Sequence, residues 1–78
     1  KPKVITVSVQ KNGDLLWNDE PMQLTEMEQR FKTTAVQSKE TEVRIQGDKS
    51  VAYEEVIKVM AAAQRAGIQK LGFITEPQ

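Results

Sequence analysis

The 78-residue chain has no cysteine and no histidine. Without thiol or imidazole it cannot assemble a serine triad with a histidine base, a thiolate nucleophile, the usual nitrogen-and-sulfur zinc site or an ordinary pH switch near neutrality. Redox compartment stays open, because a chain without thiols is at home in both oxidising and reducing surroundings. Aromatic residues are scarce, with one Trp, one Tyr and two Phe, and Lys plus Arg balances Asp plus Glu at 11 each. A nucleic-acid-binding sheet needs basic charge interleaved with stacking rings, so nucleic acid is not an expected partner, and anionic lipid is disfavoured with it. No apolar run approaches the roughly 20 residues that cross a bilayer, and no signal-peptide pattern opens the chain. A domain of this size buries only about 60 to 65% of the surface its unfolded chain exposes, which leaves little room for a deep internal cavity. No cofactor, metal or catalytic group is expected.

What is present begins with a complete βαβ unit from Val43 to Pro77. Val43 and Ile45 alternate with Arg44 and Gln46, and Gly47-Asp48-Lys49-Ser50 breaks that period with turn-forming residues. From Tyr53 onward, Val56, Ile57, Met60 and Ala63 recur at three- and four-residue steps, which predicts a helix with that face buried. Gly67 provides the helix stop and Ile68 the apolar contact beyond it. A strand over Lys70 to Thr75 follows.

The first half reads as a hairpin and a helix. Ile5, Val7 and Val9 alternate with Thr6 and Ser8, Asn12-Gly13 predicts a type I′ turn, and Leu15 to Trp17 pairs back antiparallel. A second turn at Asn18-Asp19-Glu20-Pro21 leads to a short extended piece around Met22. Thr25 and Glu28 have the spacing of a capping box, and Met27, Phe31 and Ala35 give the helix that follows an apolar stripe. The order β-β-(short β)-α-β-α-β predicts an α+β two-layer sandwich: a mixed sheet of four to five strands with two helices on one face. The other face carries Thr6, Ser8, Arg44 and Gln46 and is partly solvated.

A small open sheet has unpaired edges, and an edge is a template for another strand. Lys70 to Thr75 is the edge expected to pair with a second copy or a partner segment, with Leu71, Phe73 and Thr75 facing one way and Gly72 allowing close approach.

The runs Gly47-Asp48-Lys49-Ser50-Val51-Ala52-Tyr53-Glu54-Glu55-Val56-Ile57-Lys58-Val59-Met60 and Ala66-Gly67-Ile68-Gln69-Lys70-Leu71-Gly72-Phe73-Ile74-Thr75-Glu76-Pro77 strongly resemble the periplasmic domain of the ExbD/TolR biopolymer-transport family. Ala52 departs from a frequent Pro or Asp, and Ala61 from a common Asp. The resemblance implies a single domain over residues 1–78, cut from a longer chain with an N-terminal transmembrane helix; the start at Lys1-Pro2-Lys3 without Met agrees with that expectation. It implies the periplasmic part of a single-pass bacterial inner-membrane protein. Such a protein works with an ExbB/TolQ-like membrane channel, uses the proton motive force and engages a TonB-like protein to energise outer-membrane import of iron chelates or vitamins. The Asp48-Lys49 pair leans toward the ExbD branch. The TolR branch implies instead a TolA-like partner or peptidoglycan, in the service of envelope integrity. A homodimer is implied in either case. Asp48, Lys49, Tyr53, Leu71, Gly72, Phe73 and Thr75 are assigned to the partner or dimer interface.

Plainer readings stand beside these. Asp48-Lys49 serves as a turn whose surface ion pair would add only about 0 to 1 kcal/mol. Tyr53 reads as a ring at the core edge with a wet hydroxyl, Met60 as core, and Trp17 equally as an anchor or as a cover for the sheet. Asp19-Glu20 and Glu54-Glu55 are neighbours in sequence, and adjacent helical residues do not face each other, so neither makes an acid–base dyad.

Overall fold

The structure is a computed structural model, and it describes residues 3–75. Strands β1 (Val4–Val9), β2 (Leu15–Trp17) and β3 (Glu20–Met22) precede helix α1 (Leu24–Gln37). Strand β4 (Glu42–Gly47), helix α2 (Tyr53–Ala66) and strand β5 (Lys70–Thr75) follow. The five strands form one mixed sheet in the order β3-β2-β1-β4-β5. β1, β4 and β5 run parallel through the two helical crossovers, and β2 and β3 add on as antiparallel ribbons. The expected fold and element order are both present.

Register explains where the core sits. Trp17, Val7, Ile45 and Phe73 lie side by side across four strands, as do Val43 and Leu71 one row away, so the apolar alternates of every strand point to one face. Both helices close that face. Met27 and Phe31 of α1 and Val56, Val59, Ala62 and Ala63 of α2 are buried against Ile5, Val7, Val9, Val43 and Ile45. Trp17 belongs to this core, its ring tilted at 49° to Phe31 with centroids 5.4 Å apart, and the Arg30 guanidinium lies 5.9 Å above it. The opposite face carries Thr6, Arg44 and Gly72 in one row and Ser8, Gln46 and Ile74 in the next. It has no helix over it.

Local chemistry differs from expectation at two points. The β1–β2 connection is not a type I′ turn. Gln10 and Asp14 close a three-residue loop, with Gln10 N donating to Asp14 O at 2.8 Å and Gly13 N donating to Gln10 O at 2.9 Å. Gly13 takes φ 91° while Asn12 stays out of the left-handed region, the pattern of a type I turn completed by a glycine bulge. The extra residue is stabilised by Asn12, whose Oδ1 accepts from Asp14 N at 3.1 Å. Paired left-handed residues occur instead at Asn18 and Asp19, with φ 48° and 72°, which join β2 to β3. Asn18 tolerates this because its own polar groups extend the sheet: its Oδ1 accepts from Thr6 N at 3.0 Å, and its N donates to Thr6 O at 2.9 Å.

The capping box does not form either. α1 starts at Leu24, after an extended Gln23 that makes no side-chain cap bond. Leu24 packs against the core and so fixes the helix start one residue before Thr25. Glu28 is thereby free to reach α2, where Arg65 donates to its Oε2 at 3.2 Å. α2 ends as expected: Gly67 at φ 99° donates to Gln64 O, and Ile68 N donates to Ala63 O, both at 3.1 Å. These two bonds are a Schellman stop, with Ile68 buried beneath it.

Candidate functional site

Two strands end the sheet, and they are not equivalent. β3 has three residues, the middle one Pro21, which has no N–H to offer. β5 has six residues, no proline and no bulge, and among the described residues nothing pairs with its outer side. A row of backbone donors and acceptors therefore stands open over roughly 20 Å, the length of six extended residues.

The side chains around β5 are apolar beyond what its place at the surface requires. α2 lies above β4 and β5, and its two flanks differ. One flank meets α1, where Arg65 reaches Glu28 and Gly67 lies against Ala35. The other overhangs β5. At 100° per residue, Tyr53, Ile57, Met60 and Gln64 share that second flank. Tyr53 is 72% exposed and Ile57 42%, while Phe73 and Ile74 on the strand below are each 41% exposed. Among the described residues, six large apolar side chains are exposed; these are four of them, the others being Val4 and Val36.

The residues singled out by sequence fall into three places. Tyr53, Leu71 and Phe73 gather on the helix side of the β5 edge, Leu71 paired with Val43 and Phe73 with Ile45. Gly72 lies on the open face, paired with Arg44. Thr75 pairs through its backbone with Gly47 at the end of the strand. The Thr75-Glu76-Pro77 ending quoted for the family resemblance runs outside the described residues. Asp48 and Lys49 occupy the β4–α2 turn. Asp48 is held there by its own chain: its N donates to Val9 O at 3.0 Å, its Oδ1 accepts from Ser50 N at 2.8 Å, and its O accepts from Val51 N at 2.9 Å. It shapes the turn, and Lys49 beside it is exposed.

Two corrections follow. Ile57, expected on the buried stripe, is exposed, because α2 sits above the last strand and its outer flank has no sheet beneath it. For the same reason Tyr53 stands clear of the core instead of at its edge. Ile74 was not singled out, though its position was readable: it is an apolar residue on the alternate that faces away from the helices.

Charge around the edge is paired locally. Lys70 Nζ meets Glu40 Oε2 at 3.0 Å, and Arg44 Nε donates to Glu42 Oε2 at 2.8 Å. The hydrogen bond and the negative charge of Glu42 together raise the Arg44 pKa above its ordinary value, so that guanidinium stays charged at all working pH. Both pairs are largely solvated and contribute little to stability. An open groove at the β2–β3 side of the sheet, lined by Leu15, Met22, Leu24 and Val59 with Asp14, Glu26 and Glu55 around it, gathers no nucleophile-and-base pair; Glu55 faces Lys58 at 3.6 Å. The chemistry available at the β5 edge is recognition through backbone and apolar contact, without a reacting group.

The family described as "Biopolymer transport protein ExbD/TolR" matches residues 1–78. The chain is similar to the biopolymer transport protein exbD1 of Xanthomonas campestris pv. campestris, 31% identical over 70 residues that cover 90% of this chain and 50% of that protein. It is 42% identical over 55 residues to the biopolymer transport protein ExbD of Neisseria gonorrhoeae, covering 70% of this chain and 38% of the other. It is 33% identical over 85 residues to the Tol-Pal system protein TolR of Pseudomonas aeruginosa, covering 95% and 58% respectively. The chain spans about half the length of the curated relatives it matches.

Proposed function

The chain belongs to the ExbD/TolR family of biopolymer transport proteins, and we propose that it is a non-catalytic periplasmic domain that grips a TonB-like, periplasm-spanning partner by strand addition at β5. In this reading the rest of the protein supplies one transmembrane helix and the contact with an ExbB/TolQ-like channel. The domain converts proton-driven motion of that complex into hold and release of the partner, and so energises outer-membrane import of iron chelates or vitamins. No helix among the described residues is long and apolar enough to cross a membrane, so the anchoring segment of this reading lies elsewhere.

The observation that carries the reading is the asymmetry of the sheet edges. One is short and closed by Pro21; the other is a six-residue strand with free backbone groups beneath an apolar overhang of Tyr53 and Ile57. Main-chain hydrogen bonds along a strand resist pulling without a deep pocket, and alternate side chains set register and partner choice. A device that transmits force requires that combination.

A TolR-like role, with a TolA-like partner or peptidoglycan, has its own support in the similarity to the Pseudomonas aeruginosa TolR over 95% of this chain. Titration of a TonB-like extended peptide, followed by backbone amide NMR, tests the first reading. Shifts should cluster on residues 70–75 and on Tyr53 and Ile57. Shifts limited to α1, with β5 unmoved, count against strand addition, and retention on peptidoglycan with no response to the peptide favours the second reading.

A further inference from the structure

Gly72 is unexplained by the chain's own packing. A Cβ built there would have its nearest neighbour at 3.8 Å, the Glu42 Oε2, an ordinary contact that any side chain tolerates. Gly47 differs, because a Cβ there would press on Val51 and Val56 at 3.2 and 3.3 Å. A glycine inside a strand gives up backbone entropy and packs nothing, so its use at an edge points to something that approaches from outside. It leaves a notch on the open face, between Arg44 on the neighbouring strand and the unpaired side of β5.

Beside the notch stands Ile74, on the same face and 41% exposed. A two-fold axis would bring the one to the other. In an antiparallel pair, directly opposite residues point to the same face. A continuous sheet with the helices of both copies on one side therefore sets odd positions of β5 against odd and even against even. Two central registers satisfy this rule. With Gly72 opposite Gly72, two bare positions adjoin and Lys70 faces Ile74. With Phe73 opposite Phe73, each Gly72 faces the Ile74 of the other copy, so small meets large twice. The same count sets position 70 against position 76, a lysine and a glutamate in the sequence, although position 76 lies outside the described residues. On the helix side, the Phe73 rings meet at the axis, under Tyr53 and Ile57 from both copies.

We infer that β5 is self-complementary and pairs antiparallel with β5 of a second copy about an axis through Phe73, Ile74 of each copy filling the notch left by Gly72 in the other. The contact is isologous and closes as a dimer. It buries four of the six exposed large apolar side chains among the described residues. Resting on the proposed function, it has a consequence for regulation: one set of backbone groups serves one strand at a time, so a partner strand at β5 has to displace the second copy.

Sedimentation equilibrium of the 78-residue chain over a concentration series tests this, with circular dichroism and Trp17 emission as checks on folding. Ile74→Ala should raise the dimer dissociation constant at least tenfold while the monomer stays folded. Gly72→Ile should abolish the dimer by opposing two isoleucines. The transposed pair Gly72→Ile with Ile74→Gly should restore it, which only this register allows. A chain that stays monomeric at millimolar concentration overturns the inference, as does a dimer that Ile74→Ala leaves unchanged or a transposed pair that stays monomeric. The peptide titration is read separately: amide shifts at β5 in a chain that never dimerises sink only the self-pairing, and a dimer whose peptide shifts lie elsewhere sinks only the partner strand.

Discussion

Phe73 lies over Gly47: a Cβ at position 47 would stand 3.9 Å from Phe73 Cε1, and closer still to Val51 and Val56. The bare position lets the edge strand, the β4–α2 turn and the first turns of α2 close on one another. Gly47→Ala should therefore strain three contacts at once and destabilise the domain by about 1 to 3 kcal/mol, the usual cost of overfilling a packed site. Urea unfolding followed by Trp17 emission measures it, and unchanged stability would show that the turn gives way freely.

The β2–β3 turn carries strain that substitution should relieve. Asp19 holds φ 72° without the hydrogen bonds that secure Asn18, and two-residue turns of this kind favour Gly at the second position. Asp19→Gly is expected to stabilise the fold by about 0.5 to 1 kcal/mol, the left-handed cost removed less the entropy that glycine adds to the unfolded chain. Asn18→Gly is expected to destabilise, because it removes the acceptor for Thr6 N. Parallel thermal melts of the two variants decide the point; equal shifts of one sign would remove the distinction.

Element order, strand direction and the Gly67 stop were legible because each rests on local chemistry: period two in Ile5, Val7 and Val9, period 3.6 from Val56 to Ala63, and glycine where φ must be positive. The turn at Asn12-Gly13 was legible as a turn and misread as to type, since the added residue of a bulge changes pairing without changing composition. The start of α1 was misread because the burial of Leu24 outweighs a sequence cap at Thr25. Ile57 shows the deeper limit. Helical angle places it beside Val56 and Met60, but whether that angle meets sheet or solvent depends on how many strands lie beneath the helix. β5 was readable as a strand, and its outward side became readable as a site only when its neighbours and the α2 overhang were in place.

The core around the single Trp separates packing from charge. Phe31 is fully buried against Trp17, whereas Arg30 covers the ring from the solvent side and shares two loose contacts, to Glu20 and Glu26, each at 3.5 Å. Phe31→Ala should cost about 3 to 5 kcal/mol, enough to unfold most molecules of so small a domain. Arg30→Ala should cost about 0.5 to 1 kcal/mol and make Trp17 emission more solvent-exposed in the folded state. An Arg30 variant as unstable as the Phe31 variant would mean that the guanidinium closes the core.

The overhang at β5 makes the sharpest distinction between binding and folding. Tyr53 and Ile57 already lie in water, so Tyr53→Ala and Ile57→Ala remove little that the monomer uses, and stability should change by no more than about 0.5 kcal/mol. If a strand docks beneath them, each side chain loses water only in the complex. At about 25 cal/mol per Å² of apolar surface, a few tens of Å² from each correspond to about 1 to 2 kcal/mol, a weakening of roughly 5- to 30-fold. Val36, 85% exposed on α1 and away from β5, is the control: Val36→Ala should alter neither stability nor affinity. Calorimetric titration of the extended partner peptide into the three variants reads all of this. If Val36→Ala weakens binding as much as Tyr53→Ala does, the site lies on α1, and the asymmetry of the sheet edges has another cause.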